Sequence, residues 1–119
     1  MNAPDEALIA VHTTVANHDD ARRLAREGIT AGLAACAQLE PIESHYIWKG
    51  ALVDEPEIRI TFKTTAARRP ALMAWLRREH PYEIPAITAQ PLQDPDPAYL
   101  SWVGEQTRPL AEPGGTPRS

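Results

Sequence analysis

The spacing of apolar residues divides the chain into a series of short elements. Ala7-Leu8-Ile9-Ala10-Val11 is an apolar run without polar alternation, the pattern of a central strand buried on both faces, and His12-Thr13-Thr14 ends it. Ala21, Leu24, Ala25, Gly28 and Ile29 then recur at helical spacing, with Arg22, Arg23, Arg26 and Glu27 on the opposite side. Asn17 stands where a cap is needed, Asp19 and Asp20 fall in the first turn, and Gly32 is the stop, which predicts a first helix over residues 18–31. Leu33-Ala34-Ala35-Cys36-Ala37-Gln38-Leu39 reads as a second strand, broken or bulged at Pro41. Beyond it, Ile42, Ser44, Tyr46 and Trp48 share one face and Glu43, His45, Ile47 and Lys49 the other. Lys49-Gly50 is a turn, and Glu57-Ile58-Arg59-Ile60-Thr61-Phe62-Lys63 returns in strict alternation with Ile58, Ile60 and Phe62 on its apolar side.

These two strands form a long hairpin. Each arm spans about 15 residues, roughly 50 Å at strand rise, and the first strand offers about half that length for pairing. The overhang leaves unpaired backbone beside Tyr46, Ile47 and Trp48, a combination that asks for another chain. A second helix opens at Thr64, Thr65 or nearer Ala67, with Pro70 in its first turn and Leu72, Met73, Leu76 and His80 along one side. Pro81 ends it. Residues 84–92 read as a fourth strand confined to short or edge pairing by Pro85 and Pro91, and Asp96-Pro97 starts a third helix through Gln106 that packs its aromatics on a neighbour. The order β-α-β-β-α-β plus a terminal helix defines an α+β, ferredoxin-like fold with helices on one sheet face. The other face then needs covering, a second argument for an oligomer.

Composition narrows the function classes. The chain has 119 residues, is 43% apolar and carries a formal net charge of −4, which suits one globular domain and argues against general affinity for nucleic acid or anionic membrane. Cys36 is the single cysteine, and neither a signal-type leader nor a membrane-length apolar run is present, so the expected location is the cytoplasm. The domain is expected to cover residues 1–107, with 108–119, which contain Gly114-Gly115 and several prolines, as a disordered tail.

Chemistry-bearing residues concentrate at His80-Pro81-Tyr82-Glu83-Ile84-Pro85, where an imidazole, a phenol and a carboxylate follow a helix end. By residue type alone His80 reads as a cap on the last carbonyls and Tyr82 as core packing. Arg68, Arg69, Arg77 and Arg78 read as a solvated face. The potential metal donors, Cys36, His12, His18, His45 and His80, show no recognised ligand spacing. The flanks of Cys36 offer no oxyanion donors, and no Gly-rich phosphate loop exists, so no catalytic residue is assigned and the protein is not expected to be an enzyme. An RNA-recognition module needs more aromatics on the third strand than Phe62, and an acylphosphatase needs an arginine that Thr13-Thr14-Val15-Ala16-Asn17 lacks.

Taken together, Leu33-Ala34-Ala35-Cys36, Tyr46-Ile47-Trp48-Lys49-Gly50, Phe62-Lys63-Thr64, His80-Pro81-Tyr82-Glu83-Ile84-Pro85 and Ala98-Tyr99-Leu100-Ser101-Trp102-Val103 resemble the CutA divalent-cation tolerance family in order and spacing over residues 7–106. The resemblance implies a homotrimer with the architecture of PII-type signalling proteins, in which long hairpins augment neighbouring sheets. It also implies a role in tolerance of divalent metals, with copper or another divalent cation as ligand and Cys36 and His80 at the positions of proposed metal ligands; a further cysteine of some members falls at Thr13. The alternative function is a PII-like sensor or signalling scaffold that binds a small anion or nucleotide in clefts between subunits, lined by Lys63, Tyr82 and Glu83.

Overall fold

The computed structural model describes residues 6–107, so the expected tail at 108–119 lies outside the described residues. The elements are β1 (Leu8–Val15), α1 (His18–Thr30), β2 (Cys36–Trp48), β3 (Ala51–Thr65), α2 (Arg69–Glu79), β4 (Ile87–Pro91) and α3 (Pro97–Gln106). All strand pairs are antiparallel and the sheet order is β2-β3-β1-β4, the ferredoxin-like arrangement expected, with β1 inside the sheet. Asn17 Oδ1 accepts the Asp20 N–H at 2.8 Å, and Asp96 accepts from Ala98 and Tyr99, so both predicted N-caps act as such. Pro70 sits in the first turn of α2, where the missing N–H has no helical partner to lose.

Strand boundaries differ from the sequence reading. β1 runs past Val11 to Val15 because its polar residues pair on both sides: His12 lies between Thr61 and Thr88, and Thr13 between Ile60 and Ile87. Leu33, Ala34 and Ala35 precede the strand, and β2 begins at Cys36. Pairing continues without a bulge through Pro41, opposite Ile58, because β2 is the sheet edge and one side of its backbone has no neighbour. Pro56 is tolerated likewise, since residues 51–57 of β3 extend beyond the end of β1 and pair with β2 alone. Lys49 (φ 51°) and Gly50 (φ 82°) close the hairpin in two residues, a left-handed pair that glycine accommodates freely.

Alternation places Ile9, Val11, Val15, Ile58, Ile60 and Phe62 on one face, where they form the main core with Ala21 and Leu24 of α1 and Leu72 and Leu76 of α2. α1 approaches closely: a Cβ at Gly28 would stand 3.2 Å from Phe62 and 3.3 Å from Trp75. α3 lies against the opposite face, where Leu100 and Val103 cluster with Leu8 and Ala35, so the helices are not confined to one side. The rest of that second face is largely polar, carrying His12, Thr14, Arg59, Thr61, Gln38 and Glu40. The expectation of a broad exposed apolar sheet face is therefore corrected. Exposed apolar area gathers instead at the hairpin end, at Tyr46, Ile47, Trp48 and Leu52.

Candidate functional site

His80 follows α2 in extended conformation (ψ 136°), as Pro81 requires. Its Nε2–H donates to the Thr14 carbonyl at 2.9 Å, and its Nδ1 accepts the Tyr82 N–H at 3.0 Å. Both ring nitrogens are thereby engaged and the tautomer is set by its partners. The β1–β4 ladder ends at Thr13↔Ile87, so the imidazole takes over the next carbonyl of β1. Burial pulls the His80 pKa below the ordinary imidazole value. The ring is a latch joining the helix end to β1.

The same turn brings Tyr82 across to β3, where its hydroxyl donates to Glu57 Oε2 at 2.6 Å. Burial first, and Glu57 second, push the Tyr82 pKa up. On the sheet face that Glu57 shares with Ile42, Ser44 and Tyr46, the Tyr46 hydroxyl donates to Glu55, which raises the Tyr46 pKa to about 12. Between this part of the hairpin and residues 81–86 lies a cleft of about 720 Å³ walled by Tyr46, Trp48, Glu55, Glu57, Tyr82 and Glu83. Three carboxylates line it and, among the described residues, no lysine or arginine does. His45 stands at its rim, with Nδ1 2.5 Å from Asp54 and Nε2 2.7 Å from Glu43; both ring nitrogens meet carboxylates, and these hydrogen bonds, Asp54 first, raise the His45 pKa.

Tyr82 and Glu83 thus line one cleft, and Lys63 does not. Lys63 lies opposite Cys36, six positions along β3 from Glu57, and donates to Gln38 at 2.7 Å. Cys36 is half-buried, with Sγ 3.5 Å from the Tyr99 hydroxyl; burial, then Cys36, push the Tyr99 pKa up to about 12. Cys36 pairs with Lys63 and Lys63 with Ala10, whereas His80 binds Thr14, four residues farther along β1, about 13 Å at strand rise. One protomer therefore does not bring Cys36 and His80 into a common metal site, and His80 has no free nitrogen for an ion. Thr13 points into the main core, 1% exposed, with its hydroxyl lacking a partner. No group of three or more His, Cys, Asp or Glu among the described residues is arranged to hold a metal. Glu57 escaped the sequence reading, since Glu57-Ile58-Arg59 alternates as an exposed polar face would.

The model of the family described as CutA1 divalent ion tolerance protein matches residues 9–106. Among curated proteins, Protein CutA of Mus musculus is 36% identical over 109 residues, covering 91% of this chain; the chain spans 62% of the length of the mouse protein. Divalent-cation tolerance protein CutA of Yersinia pestis (strain Pestoides F) is 35% identical over 96 residues, 80% of this chain and 81% of that protein. Among solved structures, CutA from Synechococcus elongatus PCC7942 superposes with a TM-score of 0.84 at 35% identity, covering 89% of this chain and 95% of that one.

Proposed function

Because the chain belongs to the CutA1 divalent ion tolerance family, we propose that it acts in divalent-cation tolerance as a cytoplasmic homotrimer, by binding rather than by catalysis. The observation that carries the assembly is the hairpin: residues 51–57 pair with β2 alone, and Leu52 among them and Ile47 opposite it are 69% and 66% exposed. Unpaired strand edges next to apolar side chains are completed by another copy of the same surface more readily than by solvent. A cyclic arrangement of such hairpins is the PII-like architecture that the resemblance implies. The names of relatives support the link to divalent cations.

Copper or another divalent ion is the proposed ligand. Cys36 is the thiolate donor of the chain, and its remaining partners come from outside the protomer, since His80 is committed to Thr14 and Tyr82. Calorimetric titration of the protein with copper(I), copper(II) and zinc, with mass measured in solution alongside, tests this reading. The expected result is a trimer whose metal uptake is lost in Cys36→Ser and kept in His80→Gln. A monomer, or uptake indifferent to Cys36→Ser, refutes it.

A further inference from the structure

A charged cluster stands beside the apolar tip of the hairpin. Glu43, His45 and Ile47 alternate along one face of β2, and Pro56, Asp54 and Leu52 stand opposite them, in that order, on β3. The His45–Asp54 pair and the exposed Ile47–Leu52 pair are therefore neighbours on that face, about 7 Å apart at strand rise. The geometry at His45 is that of an imidazolium. Nδ1 lies 2.5 Å from Asp54 and Nε2 2.7 Å from Glu43, and a carboxylate accepts hydrogen bonds without donating them, so both ring nitrogens must carry protons. A neutral ring has a single N–H. It keeps one carboxylate and turns a lone pair towards the other. No nearby group makes good that loss: Glu55 and Glu83, which line the cleft on the other side of the ribbon, are acidic, Tyr46 donates to Glu55, and the Lys49 ammonium lies over the Trp48 ring at 5.6 Å.

In a single protomer the three side chains are exposed, and water screens the difference between the two states of the ring. Assembly removes that screening. A second copy that covers Ile47 and Leu52 also strips water from the cluster beside them, where an unpaired carboxylate is costly and a carboxylate on each side of an imidazolium is not. We propose that His45 is a proton switch on self-association: charged, it lets the hairpin tip dock against a neighbouring copy, and neutral, it leaves an uncompensated carboxylate at the seam and loosens the assembly. This inference rests on the homotrimer reading given above and adds its regulation. The sign follows from linkage. The assembled state holds the His45 proton more tightly than the free protomer does, so association is complete below the ordinary imidazole value of about 6.5 and weakens as pH rises through the value in the assembly. The hydrogen bonds from Asp54 and Glu43, which raise the His45 pKa already within one protomer, put that loss on the alkaline side.

The test is sedimentation velocity of the unaltered chain across a urea series at about pH 6 and about pH 8.5, on either side of the ordinary imidazole value, at constant ionic strength. It reads the urea concentration at which half of the trimer is lost. The trimer is expected to withstand more urea at the lower pH, and at one intermediate urea concentration its association constant should be at least about tenfold higher there, as the uptake of one or more protons over that span requires. His45→Gln, which has no charged form, should give the same low midpoint at both pH values; subtracting its response removes the share of other titrating groups such as His80. Glu43→Gln takes away one carboxylate and offers an amide N–H to the bare ring nitrogen, so it should keep the high midpoint at the higher pH. Circular dichroism verifies that each variant is folded, and Glu43→Gln decides if His45→Gln is not. A trimer whose midpoint responds to pH equally in the unaltered chain and in His45→Gln, or Glu43→Gln as weak as the unaltered chain at the higher pH, overturns the proposal and leaves the trimer reading intact. A monomer at both pH values overturns both.

Discussion

Thr13 and Thr64 are buried threonines on the helix-covered side of the sheet, and their surroundings differ in one hydrogen bond. Thr64 Oγ1 donates to the Leu33 carbonyl at 2.7 Å, whereas Thr13 Oγ1 has no partner. An unsatisfied buried hydroxyl costs about 1–3 kcal/mol. Thr13→Val removes it at nearly constant shape and is expected to raise the unfolding free energy by about 1 kcal/mol in denaturant titration, while Thr64→Val lowers it by a similar amount. A loss of stability in Thr13→Val would show that the hydroxyl has a role in the fold. Residue type gave no access to this contrast. Thr13 read as the end of a strand, and only its register between Ile60 and Ile87 shows that its side chain faces the core. Glu57 is the converse case, a charged residue in an alternating strand that is covered by Tyr82, 25 positions away. Cys36 and His80 were paired through the family resemblance, but spacing in sequence carries no distance between a strand start and a helix end.

At the scale of elements, local rules located most of the structure. Asn17, Gly32, Pro81 and Asp96-Pro97 set helix ends through backbone chemistry that acts within a few residues. Strand ends were less legible, because β1 and β3 are extended by partners distant in sequence, and Pro41 looks like a break until the sheet order shows it on an edge. The corner after α2 depends on both levels. Pro81 sets the turn, and His80 fastens it to β1. Since burial holds the folded-state pKa of His80 below the ordinary value of about 6.5, its contribution to stability is complete above that pH and is lost as pH falls through the folded value. His45 has the opposite sign. Its carboxylate partners raise its pKa, so its contribution is present below about 6.5 and fades as pH rises through the folded value. Ring-proton NMR should therefore find His80 titrating below the ordinary imidazole value and His45 above it. His80→Ala, which leaves the Thr14 carbonyl and the Tyr82 N–H without their partner, should cost about 2 kcal/mol near neutral pH, with a smaller penalty in acid. Equal penalties at both pH values would mean that protonation does not open the latch.

The molecule as a whole is elongated, 48 × 36 × 20 Å, because the hairpin projects beyond the sheet that anchors it. Its base is fixed by Ile58, Ile60 and Phe62 in the main core, and its tip carries Ile47 opposite Leu52, both exposed. The sequence exposed this imbalance through strand length, and it is the premise of the proposed oligomer. The argument from an apolar second face falls, since α3 and polar residues occupy that face. Assembly should therefore depend on the hairpin tip. Ile47→Glu with Leu52→Glu places like charges directly opposite each other and removes the apolar contact, while the core is untouched. Sedimentation of this double variant should give the 13.1 kDa protomer with native circular dichroism, against three times that mass for the unaltered protein.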